Sequence, residues 1–228
     1  MVQAPVDLKK EQKATLSRSR RKYGIMAKML FMGMDSFYGK ERTLGKMRLL
    51  EMLARIPYQA WEAHQYQKVT HHFENDNTVK QSEDIIEWAR EAQDNEFWHL
   101  RVVVEKIKED RVKLNFFKDH IASHFAALFH HTFSRTLAFL NTKAAFKLNA
   151  DFEDHAEHEY MKFVEEHPEL EEQAVSQDIA KVIGDFKNWA DVFRKIALDE
   201  RQHMNNSLIR CGRSSEVVPL PASKETLA

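Results

Sequence analysis

One cysteine, Cys211, is all that a chain of 228 residues offers for thiol chemistry. It excludes an intrachain disulfide and any site built from several thiolates, and it permits a reducing compartment. Glycine and proline are scarce too, at six and five residues, so little punctuates the chain and long helices are the default reading. Apolar runs long enough to cross a bilayer, about eighteen residues, are missing as well. The longest oily segment, His124 to Leu140, is interrupted by His130, His131, Ser134 and Arg135. An excess of charge of one sign is also absent: 34 Lys and Arg face 35 Asp and Glu. The basic cluster Arg18, Arg20, Arg21 and Lys22 is too short a footprint for nucleic acid, so no nucleic-acid partner is expected. The N-terminus lacks the apolar core of a signal peptide, and Asp7 and Glu11 make it a poor transit peptide.

What is present is helical periodicity. Strand-like alternation is almost absent, and the expected fold class is all-α. The polar ends, residues 1–16 and 212–228, are expected as flexible tails flanking a single domain over 17–211. Six helical segments are expected between them. The first runs from Arg20 to about Phe37. The second, Leu44 to about Phe73, has a kink expected at Pro57. The third starts near Ser82, a capping hydroxyl, and reaches Lys108. The fourth covers Leu114 to Leu140 and the fifth Lys143 to Glu165. The last, from about Ala174 to Arg210, is expected to split near Gly184.

One short motif recurs. Glu96 and His99 stand three apart in "NEFWH", and Glu200 and His203 repeat the spacing in "DERQH". Residues at i and i+3 share a helical face about 5–6 Å apart at Cβ, so carboxylate and imidazole can reach one ion together. A dinuclear site in a ferritin-like four-helix bundle takes one Glu from each of two helices and a Glu-x-x-His from each of the other two. Glu51, Glu96, Glu153 and Glu200 follow one another at intervals of 45, 57 and 47 residues, each about one long helix plus a connection. The expected metal ligands are therefore Glu51, Glu96, His99, Glu153, Glu200 and His203. Four carboxylates and two imidazoles suit two bridged iron ions better than zinc, which settles for fewer and softer ligands. His155 and His158 are also three apart, but no second set completes a site around them.

At these residues the sequence resembles the alternative oxidase family, the di-iron quinol oxidases that include the plastid terminal oxidases. The resemblance covers roughly Lys46 to Asn206. "RLLEML" resembles the family's Leu-Glu-Thr motif at Glu51, and "EAQDNEFWHL" resembles its Glu-Ala-Glu-Asn-Glu-Arg-Met-His-Leu motif at Glu96 and His99. "DFEDHAEHEY" resembles Leu-Glu-Glu-Glu-Ala followed by a tyrosine, and "DVFRKIALDERQH" resembles Arg-Ala-Asp-Glu-x-x-His. The resemblance implies two iron ions held by the six ligands and Tyr160 as the redox-active catalytic tyrosine. It further implies Asn95 and Asp199 as hydrogen-bonding residues behind the ligands, and Lys46, Leu50 and Ala156 beside the substrate. Met52 replaces the Thr after the first ligand, Glu159 replaces a Thr before Tyr160, and Lys46 replaces an Arg.

The implied activity is reduction of O2 to water with electrons from quinol, on the mitochondrial inner membrane as a peripheral protein, or on a plastid or bacterial membrane. Membrane contact is expected from Arg20 to Met34, where Ile25, Met26, Met29, Leu30, Phe31 and Met32 follow the basic cluster. Two alternatives stay open. The wet stretch "RIPYQAWEAHQYQKVTHH" after Glu51 suits a soluble di-iron oxidase or oxygenase acting on a small organic substrate. A non-catalytic oxidase-like subunit of a larger membrane assembly would also use a Met-rich helix for docking. A homodimer is compatible with each.

Overall fold

A computed structural model describes residues 6–184 and 186–221. Among these residues there are eight α-helices and no strand, so the protein is all-α. In chain order the helices are α1 (Leu8–Ser17), α2 (Ile25–Tyr38), α3 (Leu44–His71), α4 (Asp76–Glu109), α5 (Ser123–Leu140), α6 (Thr142–Glu166), α7 (Gln177–Ile183) and α8 (Trp189–Arg210). A π-helical turn, Phe116–Ala122, leads straight into α5.

Local chemistry sets the boundaries. The side chains of Thr43, Asn75 and Asn188 accept hydrogen bonds from the Lys46, Thr78 and Asp191 amides, satisfying donors that a helix start leaves over. Asn75, not Ser82, therefore starts α4. The Ser82 hydroxyl instead donates across to Gln65 Oε1 at 3.1 Å. α3 continues through Pro57, which forfeits one intrahelical bond without ending the helix. The expected break at Gly184 is present: its φ of 92° is a left-handed conformation that closes α7 at no Cβ cost.

The expected tails need correction. Residues 8–16 lie in α1, which Asp7 caps and which buries Gln12 and Thr15. After α8, Asn205 exchanges hydrogen bonds of 2.7 and 2.9 Å with the backbone of Val218, and Val217 and Val218 pack on Ala150, Met204 and Leu208. The tail assignments at 1–5 and 222–228 lie outside the described residues.

Where the sequence reads as one domain, the chain gathers into two compact units: residues 6–27 with 150–221, and Lys28–Asn149. Each has its own core. In Lys28–Asn149, α3 packs along α4 and α5. Its buried stripe, Leu44, Met47, Glu51, Ala54, Tyr58, Trp61 and Gln65, advances by three and four residues in turn, the spacing of a helix seam. Trp61 stacks on Trp88 with centroids 5.2 Å apart, and Tyr58 and Phe146 close edge-on around the pair. In the other unit, α1 lies against α8. Phe193 is the aromatic centre there, stacked on Tyr160 and edge-on to Phe163.

Candidate metal centre

α4 buries a continuous face through Ser82, Ile86, Ala89, Gln93, Glu96, His99 and Val103, so Glu96 and His99 stand inside an otherwise core-like stripe. α3 does the same for Glu51. These three side chains present ligand atoms all within 4.8 Å of one another. His99 Nδ1 is 3.6 Å from Glu51 Oε2 and 3.6 Å from Glu96 Oε2. Both distances exceed a hydrogen bond. They match the spacing of about 3–4 Å between two ligands that each sit about 2 Å from one ion.

The other unit holds a second triad. Glu153 on α6 and Glu200 and His203 on α8 are buried, with ligand atoms within 4.8 Å of one another. His203 Nδ1 is 3.8 Å from Glu200 Oε2, again longer than a hydrogen bond and right for a shared ion. Each triad joins two carboxylates to one imidazole, and both are groups that could hold a metal ion. Enclosed carboxylates are costly without compensating charge, which a divalent cation supplies.

The remaining sequence candidates fall as follows. Tyr160 is fully buried on α6, two turns beyond Glu153 and on the same face. Leu50 and Ala156 are also fully buried. Asn95 is half-buried beside Glu96. Asp199 is half-buried and pairs with Lys195 one turn earlier on α8. Lys46 is buried, but its ammonium is spoken for: it bonds Asp35 Oδ1 at 2.6 Å and the Gly39 carbonyl at 3.2 Å.

The basic cluster has a role that the sequence reading missed. Arg18 donates to Asp154 Oδ1 at 2.7 Å and Glu157 Oε2 at 2.6 Å, and Arg20 to Glu159 Oε1 at 2.7 Å. The Arg21 amide and the Tyr23 hydroxyl both reach Asp154 Oδ2. From α8, Arg201 reaches Glu157, Glu11 and Thr15. These cations and donors compensate a run of acids on α6 that is buried from Leu148 to Met161. Burial alone would raise the Asp154 carboxyl, but the Arg18 hydrogen bond, with the nearby His158 and Arg18 charges, holds it below the usual carboxylate range. Burial and the Asp154 charge together push the Tyr23 phenol upward.

Asp154, Glu157 and His158 also converge closely enough for an ion. There, however, the Arg18 guanidinium already fills the place of the cation, and His158 Nδ1 bonds the Asp154 carbonyl at 2.7 Å. This third group is an ion-pair network. The signal that could have found it is the acids at 151, 154 and 157 on a helix with few exposed positions, facing a basic run with no other use.

No helix among the described residues is long and apolar enough to cross a membrane. Comparison with protein-family models and with curated proteins gives no match for this chain.

Proposed function

We propose that the two triads together hold one dinuclear iron centre in a ferritin-like bundle, and that the protein is a di-iron quinol oxidase reducing O2 to water. One observation carries this reading: each unit supplies one buried Glu and one buried Glu-x-x-His, the full ligand complement of such a centre split evenly between two helix pairs. The donors are hard oxygens and borderline imidazoles, which fit iron. When bound, the iron pair supplies the redox chemistry of O2 reduction. The chain's own part is to hold six ligands in one geometry, to keep water away, and to place the enclosed Tyr160 phenol where it can pass a proton and an electron along α6.

Quinol is an apolar substrate drawn from a membrane, and α5 supports access to one. Its outward stripe carries Phe125, Leu128, Phe129, Phe139 and Leu140, all more than half exposed, and Phe116 and Phe117 of the π-helical turn are about 70% exposed. Its buried positions are Ser123, His130, Ser134 and Ala138. A helix with its oil outward and its small and polar residues inward suits a monotopic contact lying in the interface. The expected contact at Arg20 to Met34 is weaker as a charged anchor, because Arg20 is committed to α6.

A second reading has its own support. Lys46, which the resemblance places beside the substrate, and Glu159, which replaces a Thr before Tyr160, are taken up by ion pairs with Asp35 and Arg20, and this favours a di-iron oxidase with a smaller, more polar substrate. Iron content and oxygen uptake on ubiquinol test both. Glu153→Ala is expected to lose most of the bound iron and all quinol-dependent uptake. Full iron retention in that variant would sink the dinuclear reading, and iron without quinol oxidation would select the second.

A further inference from the structure

The outward stripe of α5 has one misfit. Arg135 is exposed within it, one turn before Phe139, and among the described residues no carboxylate forms an ion pair with it. A cation set in an apolar, membrane-facing stripe is costly unless an anion meets it there. Arg135 opens onto a cleft of about 310 Å³ between α3 and α5, which His64 and Gln67 line from α3 and Thr136, Phe139 and Leu140 from α5. No acidic residue lines it. Thr136 spends its proton on the Thr132 carbonyl, which leaves the guanidinium, the imidazole and the Gln67 amide as donors. The His64 ring is fixed edge-on against Phe139 with centroids 5.8 Å apart. Burial, and then the charge of Lys68, lower the His64 pKa. The far wall is apolar, with Phe139 and Leu140 exposed by 71% and 73%.

We propose that this cleft binds the phosphate headgroup of an anionic membrane lipid, with Arg135, His64 and Gln67 holding the phosphate while an acyl chain runs out along Phe139 and Leu140. The volume suits a headgroup and not a whole lipid, so the chains stay in the bilayer. Arg135 would provide the planar fork that matches phosphate oxygens. The proposal rests on the reading of α5 as the membrane face and adds a lipid preference to it.

Vesicle flotation of the full chain, with phosphatidylcholine alone and with phosphatidylglycerol added, tests it. Wild-type protein is expected to bind the anionic vesicles more tightly. Arg135→Gln should remove about fivefold of that gain, the equivalent of about 1 kcal/mol for one basic residue at the surface. Binding to neutral vesicles should be unchanged. Gln67→Ala should reduce the same gain without altering charge, and Lys80→Gln on α4 should not. An equal loss in Lys80→Gln would mean a diffuse surface potential and would overturn the proposal, as would a wild type indifferent to phosphatidylglycerol. Titration with dihexanoylphosphatidylglycerol below its micelle concentration separates the two readings. Saturable binding that Arg135→Gln abolishes supports the site even if no vesicle is bound, in which case only the membrane reading falls. Absence of such binding beside normal flotation removes the site alone.

Discussion

α5 and α6 follow one another in the chain and distribute polarity in opposite ways. α6 is enclosed from Leu148 to Met161 and carries Asp151, Glu153, Asp154, Glu157 and Glu159 in that enclosed stretch. α5 encloses serine, histidine and alanine and turns its phenylalanines outward. The lesson is that burial does not follow hydropathy residue by residue. Carboxylates go inside where guanidiniums such as Arg18, Arg20 and Arg201 are arranged to meet them, and aromatic rings stand outside on a helix whose inner positions are taken by small and polar residues.

The contrast can be broken most forcefully at Arg201, which touches Glu157, Glu11 and Thr15 and is only 3% exposed at its side chain. Arg201→Met takes from Glu157 one of its two guanidiniums and leaves Arg18 alone to compensate it, and chemical denaturation is expected to show a loss of about 2–4 kcal/mol. Adding Glu157→Leu to it should restore part of that loss. A single variant as stable as wild type would mean that Arg18 alone is enough to compensate Glu157.

A smaller effect sharpens the α5 side. Burial, and then the charge of His131, lower the pKa of His130 to about 4 from its ordinary 6.5. The folded protein therefore binds fewer protons than the unfolded chain between those values. Stability from this residue is complete above pH 6.5 and is lost as pH falls towards 4. Between pH 6.5 and 5 the loss should be about 1.5 kcal/mol. The difference between wild type and His130→Leu, followed by urea unfolding across that range, should carry this slope. Parallel curves would show that His130 gains its proton without cost.

The smallest effect on stability is expected on the outward face of α5. Phe125→Ser with Phe129→Ser should change the unfolding free energy by no more than about 0.5 kcal/mol, because exposed positions contribute little to the fold. Vesicle flotation should nevertheless fall sharply. A large destabilisation would show that these rings are packed against protein after all.

The sequence made some of this legible and hid the rest for physical reasons. The stripe through Glu96 and His99 is a local, repeating signal, and α4 follows it closely. Glu51 was readable the same way, as a carboxylate in an oily period. The N-terminal arginines were not, because Arg18 meets Asp154 across 136 residues, and periodicity carries no information about a distant partner. α5 shows a different limit. Its helical character was plain, but that shows only that the segment has two faces and not which of them turns inward. The π-helical turn at Phe116–Ala122, expected as plain α-helix, changes hydrogen-bond register without changing composition.

One feature of the chain's layout bears on how the protein is made. Lys28–Asn149 is a single unbroken segment, whereas the other unit joins residues 6–27 to 150–221. Arg201 and Glu11 lie 190 residues apart. During synthesis the continuous segment can close while the ribosome is still extending the chain beyond α6, and α1 must wait for α8 to emerge. Pulse-labelled hydrogen exchange on nascent chains would then show the amides around Trp61 and Trp88 protected well before those around Arg201. The Glu51, Glu96 and His99 triad, a group that could hold a metal ion, would be complete before the second triad exists.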